Sequence, residues 1–159
     1  PPLGAWEQTS AFALGAATRG VAVGIVTWLA IIPFARVGVA HLWAIAFFGV
    51  CSALIMAFLG IAAGLWSEKF DHLSAVTNFV VVPMTFLSGT FYLVDRLPEP
   101  FRTISAYNPI FYLIDGFRYG FIGEAEGSLT VGVWLTLALT VALGWLAFRL
   151  FKTGYHIKT

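Results

Sequence analysis

Four long apolar runs dominate the pattern of hydrophobic and polar positions along the chain. Each has 20 to 25 residues, and at about 1.5 Å per residue an α-helix of that length crosses a hydrocarbon core of about 30 Å. The runs are continuously apolar rather than alternating in polarity, which favours helices over the strands of a membrane barrel. The sequence predicts four spans, at about residues 11–34, 42–66, 73–94 and 129–151.

Composition places the whole chain in a membrane. Hydrophobic residues make up 59% of it and charged residues only 11%, whereas soluble domains have about 25% charged residues. A net charge of +1 argues against nucleic acid as a partner. We therefore expect an all-α membrane protein in which residues 1–159 form a single transmembrane domain fragment.

The third run contains residues that break helices. Pro83 lacks a backbone N–H and kinks the run, and Ser88 with Gly89 offers a place to stop. We expect the helix to end near Leu87. The alternative is a tolerated kink in an ordinary spanning helix.

The segment "NPIFYLIDGFRYGF", residues 108–121, is apolar but too short to span, since its helix is about 21 Å long. Asn108 is a preferred N-cap and Pro109 a preferred first helical residue. Asp115 and Arg118 lie one helical turn apart and can pair, which lowers the cost of placing charge at a membrane edge.

The polar break around this segment predicts a further structure on the outer side. Residues 95–123 are expected to form a re-entrant or surface-lying helical hairpin. An ordinary interfacial loop with no role in a pathway is the alternative. Four spans place both chain ends on one side, and the basic tail "FRLFKTGYHIKT" favours the cytoplasm for the C-terminus.

Small residues and one cation mark the first two runs. Gly20 with Gly24, and Gly60 with Gly64, have the GxxxG spacing that lets helices approach closely in lipid, within one subunit or between two. Arg19 is the only charge in the first run and is expected at its cytoplasmic end. There it could contact an anionic headgroup or a partner residue, or serve as a snorkelling anchor.

Several chemistries are absent from the sequence. It has no Walker A loop and no H-E-x-x-H motif, so we expect no ATP hydrolysis by this chain, no metal site and no catalytic residue. "FLSGT" resembles an intramembrane serine protease motif, but no His lies within a run to activate Ser88. No acid lies within the four runs either, which argues against a transporter driven by an ion gradient.

The segment "VVVPMTFLSGTFYLVDRLPEPFRTISAYNPIFYLIDGFRYGF" resembles the signature of ABC-2-type transporter permeases. "ATRGVAVG" is similar to the start of that family's third span, and "FDHLSAVTNF" to the entry of its fifth. From this resemblance the substrate-pathway or gate candidates are Pro83, Ser88, Gly89, Phe91, Tyr92, Asn108, Pro109, Asp115 and Arg118.

The resemblance implies a six-span subunit of which this chain holds the third to sixth spans, with the N-terminal part missing. It further implies a bacterial inner-membrane exporter of drugs, lipo-oligosaccharides or polysaccharides, in which two permease subunits pair as a homodimer within membrane lipid. ATP and Mg²⁺ would bind separate ATPase subunits. A membrane scaffold or a channel subunit is the alternative function; a channel would show a polar stripe facing a pore.

Overall fold

The computed structural model of the chain describes residues 4–34, 38–66, 74–88, 96 and 98–153. In these ranges the chain is helical, without strands, as predicted. The helices are α1 (Ala5–Ile31), α2 (Leu42–Trp66), α3 (Ser74–Phe86), α4 (Phe101–Tyr107), α5 (Pro109–Ile122) and α6 (Leu129–Thr153).

Three helices of the described ranges, α1, α2 and α6, are long and apolar enough to cross a membrane. They expose many large apolar side chains, among them Leu14 and Trp134, as expected where lipid replaces water. α3 is shorter than a span. Because residues 67–73 and 89–95 lie outside the described ranges, a fourth crossing stays a prediction.

The described helices match the predicted runs closely for α2 and less closely for α1, which begins six residues and ends three residues before the predicted run. α2 begins and ends where predicted, and α3 ends one residue before the expected position. α1, however, begins at Ala5, six residues earlier than predicted. Its first turns are polar yet helical, because the Glu7 carboxylate accepts from Gly4 N at 2.9 Å and the Thr9 hydroxyl donates to Ala5 O at 2.8 Å.

The long helices define two faces of the bundle. The first turns of α1 contact the last turns of α6, since Trp6 packs on Phe148 and Phe12 on Phe151 with ring centroids 6.0 and 5.9 Å apart. We call the face where α1 begins and α2 and α6 end the Ala5 face. The opposite face, where α2 begins, is the His41 face.

The buried core lies between α2, α5 and α6. α2 and α6 run parallel: a Cβ on Gly132 would lie 3.8 Å from the Phe48 ring, and one on Gly144 would lie 3.2 Å from the Phe58 ring. The buried apolar residues are Ala44, Phe48, Cys51, Ile55, Phe58, Phe111, Leu113 and Ala147. The segment predicted to form an outer hairpin therefore contributes to the interior of the bundle.

Pro83 changes the helix that precedes it. Residues Thr77–Val81 of α3 form a π-helical segment directly before the proline. Proline has no N–H and its ring crowds the carbonyl four residues earlier, and a π-turn relieves that crowding. The irregularity observed near Pro83 is therefore a wider turn, and the predicted kink stays a prediction.

Candidate functional site

The start of α5 follows the sequence prediction. The Asn108 side chain accepts a hydrogen bond from Ile110 N at 3.0 Å, and Pro109 occupies the first turn. Asn108 itself is extended, with φ −78° and ψ 116°, and separates α4 from α5. It thus satisfies a backbone donor that would otherwise have no partner at the helix start.

The same side chain connects α5 to α3. The Asn108 amide donates to Met84 O at 2.7 Å, although 24 residues separate the two. Asn108 and the nearby helix-terminal Ser88 are both buried, at 6% and 1% exposure, and the Ser88 hydroxyl donates to Thr85 O. One amide therefore caps α5 and donates to a carbonyl in the last turn of α3, which lacks a partner within the helix because α3 ends at Phe86.

Two substitutions separate these roles of Asn108. Asn108→Ser keeps an N-cap oxygen but does not reach Met84, whereas Asn108→Leu loses both contacts. We expect Asn108→Ser to lower the free energy of unfolding by about 1 kcal/mol, and Asn108→Leu by about 1 kcal/mol more. Thermal unfolding of the full-length protein in detergent measures both. Equal midpoints for wild type and Asn108→Leu would show that the junction is not needed.

The C-terminal end of α5 is held by α2. Gly123 ends the helix in the left-handed region at φ 83°, where glycine is favoured. Ala40 N and His41 N both donate to Gly120 O, at 3.0 and 2.8 Å. The His41 ring stacks on Tyr119 with centroids 4.6 Å apart. The end of α5 therefore lies at the His41 face.

Two glycines let α5 approach α2 closely. A Cβ on Gly116 would lie 2.3 Å from the Phe48 ring, and one on Gly120 would lie 2.4 Å from Ile45 Cγ1 and 2.8 Å from Ile45 N. "GFRYG" is itself a GxxxG motif, one that the sequence analysis did not single out. Small residues at this spacing let the short helix α5 pack closely against α2.

The register of these contacts indicates how deep α5 reaches. Gly120 lies against Ile45 and Gly116 against Phe48, so α5 is antiparallel to α2. Two further helical turns, about 11 Å, separate Gly116 from Asn108. The beginning of α5 thus lies near the middle of α2, and the Met84 carbonyl bonded to Asn108 lies at a similar level.

A buried charged cluster fastens α5 to the turn before α6. Asp115 is 4% exposed and accepts three hydrogen bonds: from Arg118 at 2.8 Å, from Glu126 N at 2.9 Å and from Gly127 N at 2.9 Å. The predicted pair with Arg118 therefore forms. We call Asp115, Arg118, Glu126 and Gly127 the carboxylate clamp.

Arg118 joins both acids of the carboxylate clamp. Its guanidinium lies 2.8 Å from Asp115 Oδ1 and 2.6 Å from Glu126 Oε1. Burial opposes its charge, but hydrogen bonds and Coulomb attraction from Glu126 and Asp115 outweigh burial and raise the pKa of Arg118 above its usual value. Arg118 therefore stays cationic beside the two carboxylates.

The site offers binding and positioning groups rather than a reaction centre. No group of three or more His, Cys, Asp or Glu side chains that could hold a metal occurs among the described residues. The carboxylate clamp has its donors and acceptors directed at one another, which suits a role in holding α5. Gly89, Phe91 and Tyr92, three of the predicted pathway residues, lie outside the described ranges.

Arg19 does not occupy the position expected from the sequence. Since α1 begins at Ala5, Arg19 lies midway along the helix and not near its end. Its neighbour Gly20 packs at the middle of α2, where an added Cβ would lie 2.7 Å from Ala53 Cβ. The side chain is exposed.

Only one of the four predicted packing glycines makes a close contact in this structure. Gly20 packs on α2, whereas a Cβ on Gly24, Gly60 or Gly64 would meet no atom of the described residues within 4 Å. The prediction that these three glycines pack closely against another helix is therefore contradicted within the described part of the chain. Contact with another subunit stays a prediction.

Sequence reasoning missed two parts of the site. The GxxxG spacing of Gly116 and Gly120 is visible in the sequence, but it lies outside the four long apolar runs to which the predicted packing glycines belong. Glu126 carried no signal, because it follows Asp115 by eleven residues and meets Arg118 only after the chain turns back at Gly123.

Comparison with known proteins gives the family. The profile described as "ABC-2 type transporter" matches residues 1–122. The "Inner membrane transport permease YadH" of Escherichia coli K12 is 32% identical over 149 residues, covering 91% of this chain and 57% of that protein. "Nodulation protein J" of Rhizobium leguminosarum bv. viciae is 31% identical over 133 residues, covering 81% of this chain and 47% of that protein.

The chain thus spans about half the length of these curated relatives. No solved structure gives a significant match. The family profile covers three quarters of the chain, including Pro83 and all of α5, and the YadH permease aligns with nearly all of it. The chain belongs to the ABC-2 type transporter family.

Proposed function

We propose that the chain is part of the permease subunit of an ATP-binding-cassette exporter in a bacterial inner membrane. Membership of the ABC-2 transporter family, in a chain with three membrane-length helices, carries this proposal. The name of the YadH relative, an inner membrane transport permease, supports the membrane and the activity. The subunit would carry substrate and have no ATPase site of its own.

In the proposed orientation the Ala5 face is cytoplasmic and the His41 face is outside. Arg149 and Lys152 lie in the last turns of α6 at the Ala5 face, whereas Arg118, toward the His41 face, is paired with Asp115 and Glu126. This distribution agrees with the excess of basic residues on the cytoplasmic side of membrane proteins. The C-terminus would then be cytoplasmic.

α3 and α5 would complete the transmembrane domain. α3 with its flanking residues would make the fourth crossing, within one domain over residues 1–159. α4 and α5 would form a re-entrant hairpin, because α5 runs from near the middle of α2 to its start. Backbone at that depth is tolerated where protein covers it, and α2 and α6 cover α5 in this way.

Transport would depend on ATPase subunits that bind ATP and Mg²⁺, and on a second permease subunit. Nucleotide binding shifts the permease between inward-open and outward-open states only if its partners bind those states unequally. A movement of α3 would reach α5 through the bond from Asn108 to Met84 O. The carboxylate clamp would keep α5 with α6, so that the hairpin acts as a lid or shapes the exit.

The substrate would be amphipathic: a drug, a lipid-linked molecule or a saccharide conjugate. The faces of α2, α3 and α5 are apolar and aromatic, with no catalytic constellation among the described residues. Such surfaces bind by shape and burial. Pro83, Ser88, Gly89, Phe91, Tyr92, Asn108 and Pro109 would lie along or beside the pathway.

A genetic experiment tests this function. Strains lacking the full-length permease gene, a neighbouring ATPase gene or both are compared for sensitivity to a panel of amphipathic compounds. We expect the same sensitivities in all three strains, because neither subunit works alone. An ATPase variant without its Walker A lysine should fail to complement. Different profiles for the two single deletions would contradict the proposal and favour a scaffold or channel.

A further inference from the structure

A cleft opens between α1 and α2 toward the Ala5 face. The two helices meet where Gly20 contacts Ala53 and separate between that point and the Ala5 face. The space between them has a volume of about 1020 Å³, at the upper end of the range for ligand pockets. We call it the α1–α2 cleft. Its lining residues include Phe12, Gly15, Arg19, Ala57, Gly60 and Gly64.

The cleft walls are apolar, and glycines in them leave the space between the two helices open. Gly15, Gly60 and Gly64 face open space, since an added Cβ would meet no described atom within 4 Å. The cleft closes where Gly20 meets Ala53. A helix about 10 Å in diameter could not continue along it past that point, whereas flexible acyl chains can turn aside there into the bilayer.

Arg19 supplies a positive charge to this apolar space. Its side chain is exposed and lines the cleft, and no ion pair joins it to a carboxylate within the described part of the chain. Helical side chains lean toward the N-terminus, so the guanidinium is directed toward the Ala5 face. An anion entering from that face would meet it.

The mouth of the cleft lies at the polar-to-apolar boundary of α1, where a lipid headgroup is expected. The first turns of α1, through Ser10, are polar, and the apolar run begins at Ala11. Phe12 stacks on Phe151 at this level, with the rings inclined by only 14°. Lys152, in the last turn of α6, adds a second cation at the same end of the bundle. Basic pockets between transmembrane helices bind anionic headgroups.

We propose that the α1–α2 cleft binds a membrane lipid with an anionic phosphate headgroup. The phosphate pairs with Arg19, and the acyl chains lie against the apolar walls. Charge complementarity selects this occupant, because a neutral lipid would leave the guanidinium without a partner below the membrane surface. The site does not depend on the exporter function, since a resident lipid would bind in a protein of any activity.

Native mass spectrometry of the purified full-length permease tests the site, with phosphatidylglycerol and phosphatidylcholine as the added lipids. We expect wild type to retain phosphatidylglycerol preferentially and Arg19→Gln to lose that preference by about fivefold or more. Arg149→Gln is the matched control: it removes a cation that lies 3.9 Å over the Trp145 ring, outside the cleft lining. It should bind like wild type.

Gly60→Leu is a second variant, which fills the cleft and leaves Arg19 in place. It should also lose the bound phosphatidylglycerol. If Arg19→Gln fails to fold, retention of phosphatidylglycerol by Gly60→Leu tests whether the lipid binds in the cleft. Equal retention of both lipids by wild type would overturn the proposal. So would phosphatidylglycerol retention by folded Arg19→Gln at the wild-type level, which would indicate that a protein segment covers the cleft.

Discussion

Replacing Asp115 by alanine is expected to destabilise the permease more than any other single change in the hairpin. The substitution leaves Glu126 N and Gly127 N without their acceptor and deprives Arg118 of one of its two carboxylates. Removal of one partner from a buried ion pair costs about 3–5 kcal/mol. Because Arg118 keeps Glu126, we expect a loss of about 3 kcal/mol, visible as a lower thermal unfolding midpoint of the full-length protein.

Two further variants make this prediction specific to the carboxylate clamp. Glu124→Gln removes an exposed acid of the same turn and should leave the midpoint within about 0.5 kcal/mol of wild type. Asp115→Asn keeps the shape and one acceptor oxygen, so its loss should fall between the other two. If Asp115→Ala unfolds at the same temperature as Glu124→Gln, the clamp does not hold α5.

Gly120→Ala is expected to have the second largest effect, because its methyl group would meet backbone. The new Cβ would lie 2.8 Å from Ile45 N and 3.2 Å from His41 O, besides Ile45 Cγ1. Overpacking costs about 1–3 kcal/mol, and we expect the upper part of that range here. Thermal unfolding and compound sensitivity should both report it. Gly24→Ala is the control, since its Cβ has open space.

A pair of rescue experiments separates backbone from side-chain crowding. The three atoms nearest to a Cβ on Gly116 all belong to the Phe48 ring, so Phe48→Leu should restore part of the stability lost in Gly116→Ala. Ile45→Ala should not rescue Gly120→Ala, because the crowding at Ile45 N and His41 O remains. Rescue of Gly120→Ala by Ile45→Ala would mean that α5 is free to shift away from α2.

The sequence predicted the parts of this fold that depend on local chemistry. Continuous apolar runs located α2 and the beginning of α6, since these helix ends coincide with changes in polarity. Asn108 with Pro109 located the start of α5, because N-cap and first-turn preferences act within a few residues. The pairing of Asp115 with Arg118 followed from helical spacing alone.

The features that the sequence did not predict have two origins. Some depend on tertiary contacts, and one depends on α1 beginning before its apolar run. α1 begins in polar residues that cap the helix and hydrogen-bond to its backbone. Arg19 therefore lies at the middle of the helix and not near its end. Glu126 joins the carboxylate clamp only because the chain reverses at Gly123. The hydrogen bond from Asn108 to Met84 O links residues that no periodicity connects.

Copurification of the full-length permease with its neighbouring ATPase tests the central claim most directly. The tagged permease is coexpressed with the ATPase, extracted in mild detergent and analysed for subunit ratio and ATP turnover. We expect a complex with equal numbers of both subunits, two of each, whose ATP turnover changes in the Asp115→Ala or Asn108→Leu variants. A permease that elutes alone, beside an ATPase whose turnover is the same with and without it, would show that the chain is not part of an ATP-driven transporter.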